Sequence, residues 1–396
     1  MIELAAKDTC TGCGACAFAC PKSCIRMEEN GIGIVYPVID AVSCVECKGC
    51  QRVCPILNPP VGCKPGKAYA AWSANAEERR TSASGGIAAE IYKKALEEGY
   101  CTAGAVQNDD FSVTFDLTDC EKGLVSFKNS KYVFSSAYGL FPKLKNVIVN
   151  HKKAVVIGLP CQIAAIRKLF GDHPNLLLVD VVCHGVTPYD YLRQHICKLE
   201  KENGQTAKKM SFRDPVAFTY TYTFTLYNSE RQLFYAKRTR DGDTYQYGFH
   251  RSVSYRENCY HCIFAREERV SDVTLSDYNG LGTLAPCSFT ARKVSSVLVH
   301  TDKGLNFIGR LIREARIVAE ERPVREPILG DERLRRPTRK SPIRRDFEKY
   351  IVEYEGDFEK AMSTIMPKAI RRDKLVKLLS LLRRVINRFV KIINWK

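Results

Sequence analysis

Four cysteines from Cys10 to Cys20 and four from Cys44 to Cys54 repeat one spacing, Cys-x2-Cys-x2-Cys-x3-Cys-Pro, with Pro21 and Pro55 closing the runs. Such a run wraps three thiolates around three irons of a [4Fe–4S] cubane, and its fourth cysteine crosses to a second cluster. The spacing therefore assigns Cys10, Cys13, Cys16 and Cys54 to one cluster and Cys44, Cys47, Cys50 and Cys20 to the other. Zinc also takes Cys-x2-Cys pairs, but two full runs each ended by proline weigh against it. Paired cubanes pass single electrons, so the rest of the chain should hold a group that gives or takes them. Cys24, just past the first run, reads as a packed residue.

A further pair, Cys259 and Cys262 in SYRENCYHCIF (254–264), supplies two ligands where most metal sites need four. Cys161 in KAVVIGLPCQIAAIRKLF (153–170) and Cys183 in NLLLVDVVCHGVTPYDYLRQHICKLE (175–200) each follow a strand pattern and precede a helix pattern. Consecutive strand–helix units give parallel, usually neighbouring strands, and open α/β sheets place ligands at the carboxyl ends of such strands. Cys161 and Cys183 are thus expected to meet at one sheet edge and to complete a tetrahedral set with Cys259 and Cys262. Cys161 opens a helix, whose dipole should lower its thiol pKa. A third [4Fe–4S] cluster is the first reading of this set, structural zinc the second and unliganded thiols the third. His184 and His261 lie beside these cysteines and more often hydrogen-bond than coordinate in such positions. Cys197 falls within a helical pattern and reads as a small core residue.

The elements that must position these groups alternate between strands and helices. After a turn-rich linker, NPPVGCKPG (58–66), KAYAAWSAN reads as a strand and TSASGGIAAEIYKKALEEG (81–99) as a helix stopped by Gly99. Ser82-Ala83-Ser84-Gly85-Gly86 places hydroxyls and small residues at that helix's N-terminus, where free N–H groups favour a phosphate such as a flavin dinucleotide's pyrophosphate. An ordinary N-cap with glycines for tight packing is the equal alternative. GIGIVYPVID between the cysteine runs reads as a hairpin, and FTYTYTFTLYNSERQLFYAKR (218–238) as an antiparallel hairpin turning at Asn228-Ser229, aromatics on one face and threonines on the other. An aromatic ribbon beside basic residues also suits nucleic acid, but half-burial explains it more simply, so nucleic acid carries little weight as a partner.

At 396 residues the chain is too long for one ordinary core. Eighteen cysteines behind an N-terminus without a leader pattern imply a cytoplasmic setting of reduced thiols, and no apolar run reaches the roughly 18 residues of a membrane span. Of the net charge of +17, residues 368–396 hold ten Lys or Arg and one acid, a local +9. There Leu375, Leu378, Leu379, Leu382, Val385, Ile386, Phe389 and Ile393 recur at helical spacing. A cationic amphipathic helix of this kind suits an anionic membrane surface, peripheral at its inner face; docking on the body by its apolar side is the equal alternative. RLRRPTRKSPIRR (333–345) reads as a basic loop for an acidic electron partner.

SASGG (82–86), NSKYVFS (129–135), GLPCQIAAIR (158–167), VDVVCHG (179–185), SYRENCYHC (254–262) and VSDVTLSDYNG (270–280) together resemble the beta-subunit family of coenzyme F-420 hydrogenases and dehydrogenases, in the bacterial form with a two-cluster ferredoxin module in front. The resemblance implies an α+β and α/β architecture: a ferredoxin domain (1–62), a flavin-binding part (63–150) and an α/β region with the third cysteine set (151–345), to which the charge and spacing read above add a basic helical tail (346–396). It implies an oxidoreductase that binds FAD and moves electrons between its clusters and a hydride-carrying partner, a deazaflavin coenzyme in the named members. Carried over by position, Ser84, Gly85 and Gly86 are flavin contacts, with Ser130 and Lys131 behind them. The alternative is a non-enzymatic electron-transfer subunit of a larger complex, with zinc at the distal cysteines. Two stretches depart from the family: Ser276-Asp277-Tyr278-Asn279-Gly280 replaces Gly-Asp-Phe-Trp-Gly, and Arg213-Asp214-Pro215 lacks the usual Gly-Trp after it. Both put the deazaflavin in doubt as the hydride partner. No serine, histidine and acid constellation points to hydrolysis.

Overall fold

The computed structural model describes residues 2–217, 219–372, 379 and 382. Ile25–Glu29 (β1) and Val35–Ile39 (β2) pair as an antiparallel hairpin between the cysteine runs. GIGIVYPVID therefore supplies the turn and only the second strand; IRMEE, directly after Cys24, supplies the first.

Lys67–Ser73 (β3), Cys101–Gln107 (β4), Val113–Thr118 (β5), Ser135–Ser136 (β6), Ala154–Gly158 (β7) and Leu176–Val181 (β8) enter the large sheet. Lys209–Ser211 (β9), Thr223–Tyr227 (β10) and Leu233–Arg238 (β11) form a separate antiparallel sheet, and Val273–Asp277 (β12), Ser295–Val299 (β13) and Ile317–Arg322 (β14) return to the large one. Its order is β14-β3-β13-β12-β8-β7-β4-β5-β6. The parallel neighbours β12, β8, β7 and β4 form its centre. AVVIG and LLLVDV are apolar apart from buried Asp180 because this centre is covered on both faces. Val156, Leu176 and Leu178 pack on one side with Ile163 and Phe141, while Val155, Leu177 and Val179 pack on the other with Ile87 and Phe307.

Helix Ile87–Glu97 ends at Gly99, which has φ +75°, as expected, but it starts after SASGG, and residues 76–81 form a separate short helix. The 218–238 hairpin is shorter than its alternation suggests: Thr219–Thr221 is a 3-10 turn. Both faces of β10 are buried, with Phe224, Leu226, Thr223 and Thr225 all enclosed. Thr225 is there because its hydroxyl donates to buried Asp214 at 3.0 Å. Cys197 is exposed on helix Tyr189–Asn203, which corrects its reading as core.

The tail boundary also shifts. Helix Arg344–Glu353 and residues 358–372 bury Phe347, Phe358, Ala361, Met362 and Ile365 against Phe212, Phe224 and Tyr245, so the described part of the expected tail belongs to the core. The amphipathic stretch beyond it lies outside the described residues apart from Leu379 and Leu382, which are 55% and 50% exposed. The 333–345 loop is largely tied to the body: Arg335 donates to the Ile328 carbonyl, Arg336 pairs with Glu332, Lys340 with Glu257, and Arg344 donates to the Val253 carbonyl. The 58–66 linker is stitched down through Cys63 and Arg269. Among the described residues no helix is long and apolar enough to cross a membrane.

Candidate metal centres and the surroundings of SASGG

The first site gathers Cys10, Cys13, Cys16 and Cys54, close enough that the neighbouring sulfurs oppose ionisation of Cys10, Cys13 and Cys16. Burial, reinforced by Cys10 and Cys54, pushes the Cys13 thiol up to about 11. The loop that wraps this site needs glycine: Gly12 and Gly14 have φ +68° and +78°, and a Cβ on Gly14 would lie 2.6 Å from the Tyr138 ring. The Gly12 N–H donates to Cys10 Sγ at 3.4 Å. The second site is a cavity lined by Cys20, Cys44, Cys47 and Cys50. Cys24 lines it too, with its Sγ 3.4 Å from Cys20 Sγ, so its packing is against the cluster loop itself.

The third site brings Cys161, Cys183, Cys259 and Cys262 around one cavity. Cys161 follows β7 through Leu159 and Pro160, where the Gln162 side chain accepts from the Leu159 N–H at 2.8 Å and donates to the Ser135 carbonyl at 2.9 Å. Cys183 follows the neighbouring parallel strand β8. The Cys259–Cys262 segment is tied to the same loop by Arg256 N–H to Val186 O at 2.9 Å and by the Thr187 and Ser254 hydroxyls at 3.0 Å. Backbone N–H groups of Gly185, Val186 and Phe264 face the sulfurs of Cys183, Cys259 and Cys262 respectively. Cys161 runs against the expectation from its helix: burial, then Cys262, Cys183 and Cys259, drive its thiol up, and these outweigh the dipole. Cys13 of the first site lines the same cavity.

Four sulfurs around one cavity with N–H donors on three of them fit a thiolate-bound metal group. Among the described residues no three Cys, His, Asp or Glu side chains close on a single ion. That holds equally for the ferredoxin cysteines, whose group is four irons wide. His261 bonds Glu257 at 3.2 Å, and His184 lines the cavity with Asp331 at 4.0 Å.

The surroundings of SASGG contain charges that the motif reading missed. Arg213 donates to the Ala83 carbonyl at 2.9 Å, to Tyr132 and Tyr222 hydroxyls at 2.6 and 2.9 Å, and to Asp277 at 3.1 Å. The two stretches that depart from the family pattern thus meet at one ion pair. Their companions turn elsewhere: Asp214 accepts from Tyr227 at 2.7 Å, and Tyr278 donates to Glu326 at 2.8 Å. Lys293 donates to the Ser82 carbonyl and to Thr219. Burial, with Arg213 adding to it, holds the Lys293 ammonium down at about 8. Burial, then Arg213 and His184, holds His250 down at about 4.

Ser84 donates to the Val294 carbonyl at 3.2 Å, and the Gly85 N–H donates to Ser295 Oγ at 2.9 Å. A Cβ at Gly85 would stand 2.5 Å from the Ala71 carbonyl, and Gly86 has φ +88°, so both glycines have a packing reason to be there. Lys131 donates to the carbonyls of Ser126, Lys128 and Asn129 at 3.0, 2.8 and 3.3 Å, closing its own loop, and Ser130 bonds the Tyr132 hydroxyl.

Residues 151–324 match the family model that describes the C terminus of the coenzyme F420 hydrogenase/dehydrogenase beta subunit. Over these residues the chain is similar to that family. Residues 9–57, ahead of that region, match a 4Fe-4S dicluster domain, so the ferredoxin cysteines belong to an iron–sulfur domain. An uncharacterized protein of Methanocaldococcus jannaschii is 26% identical over 200 residues, 43% of this chain and 55% of that protein, so the chain spans about half its length. A ferredoxin-like protein in the nif region of Sinorhizobium fredii is 44% identical over 62 residues, 14% of this chain and 84% of that protein. Among solved structures, the F420-reducing [NiFe] hydrogenase complex from Methanosarcina barkeri contains a chain 18% identical, with a TM-score of 0.45 over 78% of this chain and 94% of that one.

Proposed function

We propose that this beta-subunit relative is a cytoplasmic iron–sulfur flavoprotein oxidoreductase that moves electrons between its two ferredoxin clusters and a hydride-carrying partner. A third [4Fe–4S] cluster on Cys161, Cys183, Cys259 and Cys262 and an FAD beside Ser84, Gly85 and Gly86 complete the route. One observation carries this reading: the third cysteine set shares its cavity with Cys13, while His184, next to Cys183, lies within electrostatic reach of Arg213 and Asp277. Electron-carrying groups at the three places would therefore be neighbours. Flavin, when bound, accepts a hydride in one step and releases single electrons in two.

The chain's own residues favour an anion beside SASGG. Arg213 and Lys293 reach the SASGG backbone with Asp277 as their shared carboxylate, and His184 and His250, both held below the usual imidazole range, are neutral at pH 7. A pyrophosphate supplies the charge that this pair of cations lacks. The partner that delivers or receives hydride is the deazaflavin coenzyme or another carrier, and a redox protein serves the ferredoxin side. The cationic tail is kept for an anionic membrane surface.

Arg213→Gln and Lys293→Gln are each expected to weaken FAD binding by about tenfold to a hundredfold, as loss of a charged hydrogen bond of ~1.5–3 kcal/mol implies. Flavin absorbance after anaerobic purification and FAD titration measures this. Native protein that takes up no flavin even with FAD added would remove the flavin from the proposal and leave an electron-transfer subunit.

A further inference from the structure

We propose that Arg256 is a redox-tuning residue shared by the first and third cysteine sites, its single guanidinium raising the reduction potential of both. The proposal rests on the reading of the third site as a cluster.

The placement is specific. Arg256 is 2% exposed. Its main chain belongs to the third site: the N–H bonds Val186, and the carbonyl accepts from the Cys259 N–H at 3.0 Å. Its side chain belongs to the first site, where Nη1 donates to the Thr11 carbonyl at 2.9 Å and Nη2 approaches the Cys10 carbonyl at 3.4 Å. Between the two, the guanidinium lies over the Phe134 ring at 4.5 Å, and Nε, fully buried, has no hydrogen-bond partner. Arg256 also lines the cavity that holds the third set and Cys13. Gly12 leaves the room: a Cβ there would lie 3.2 Å from Arg256 Nη2 and 2.7 Å from the Val35 carbonyl.

The named partners are carbonyls and rings, which leave the cation uncompensated, and a buried charge of that kind is costly unless something offsets it. Thiolate-bound cubanes are net negative and become more so on reduction, so they are the natural counter-charge. A fixed cation beside them favours the reduced state. Arg269, on the same cavity, differs because Asp180 stands 3.6 Å away and offsets it. Arginine suits the position since it stays charged when buried.

The test is an EPR-monitored redox titration of the anaerobically reconstituted full chain, with iron counted in each sample. Arg256→Gln is expected to keep its iron while two midpoint potentials fall, each by on the order of tenfold in the one-electron equilibrium, about 59 mV, and the remaining potential stays in place. Arg256→Lys, which retains the charge, should recover most of the shift. Arg256→Met, which keeps the stem without the charge, carries the test if the glutamine variant loses its clusters. Three unmoved potentials, or three that move together, overturn the proposal. Should native protein hold only the two ferredoxin clusters, the third-site reading fails by itself. Arg256 is then judged on the first site: a fall at one of two clusters supports its role, and no fall overturns it.

Discussion

Cys259→Ser is expected to cut the iron content from about twelve to about eight per chain, because a [4Fe–4S] cubane held by the third site would lose a corner ligand. The ferredoxin clusters should keep their EPR signals, since the first and second sites draw their sulfurs from other loops. Electron transfer to added flavin should fall with the third cluster even though the ferredoxin domain still accepts electrons. The loss should be local: Cys259 is tied to the loop after β8 through Arg256 and Val186, and serine keeps the backbone N–H that donates to the Arg256 carbonyl. An unchanged iron count would show that the four cysteines share a cavity without holding a cluster.

A second large effect is expected at a buried histidine of the core. His195 is 1% exposed and sits between two carboxylates, with Nδ1 2.7 Å from Glu359 and Nε2 3.1 Å from Asp243. Burial alone would push this imidazole down, but Asp243 and Glu359 outweigh it and hold it up at about 9. Its folded value therefore lies above the unfolded one, so its stabilisation is complete below pH 6.5 and is lost as pH rises to about 9. The lost amount is about 3 kcal/mol on the linkage relation. Seen from the acid side, the same contacts hold Glu359 down at about 2, present above pH 4.5 and lost as pH falls toward that value. Asp243 also caps the helix Thr244–His250 by accepting from the Gln246 N–H at 2.7 Å, and Lys198 reaches Glu359 at 3.1 Å. Asp243→Ala removes one charge partner and the cap together, and should cost about 3–5 kcal/mol. Urea midpoints across pH 6 to 10 check both statements. Native midpoints should decline over that range and variant midpoints should be lower and flatter.

How much of this was readable in the sequence depended on how local the determining contacts were. The ferredoxin runs are legible because one short loop holds three ligands of each site. Cys161 and Cys183 were legible at one remove: two consecutive strand–cysteine–helix units have little choice but neighbouring parallel strands, and β7 and β8 are that pair. The outer sheet was not legible, because β3, β13 and β14 join by antiparallel pairings between residues more than two hundred positions apart. Long separation in sequence also hid Arg213 and Arg256, whose side chains act 130 and 245 residues away. Helical spacing placed Cys197 in a helix but misjudged its face. In SASGG the glycines answer to the Ala71 carbonyl and to a positive φ, so the motif alone could not separate tight packing from cofactor contact.

The central claim is that this chain holds an electron route of three clusters, and its most direct test is metal analysis of the anaerobically purified native protein. About twelve irons per chain with no stoichiometric zinc is the predicted result. About eight irons with one zinc would contradict it, leaving two ferredoxin clusters beside a structural site at Cys161, Cys183, Cys259 and Cys262.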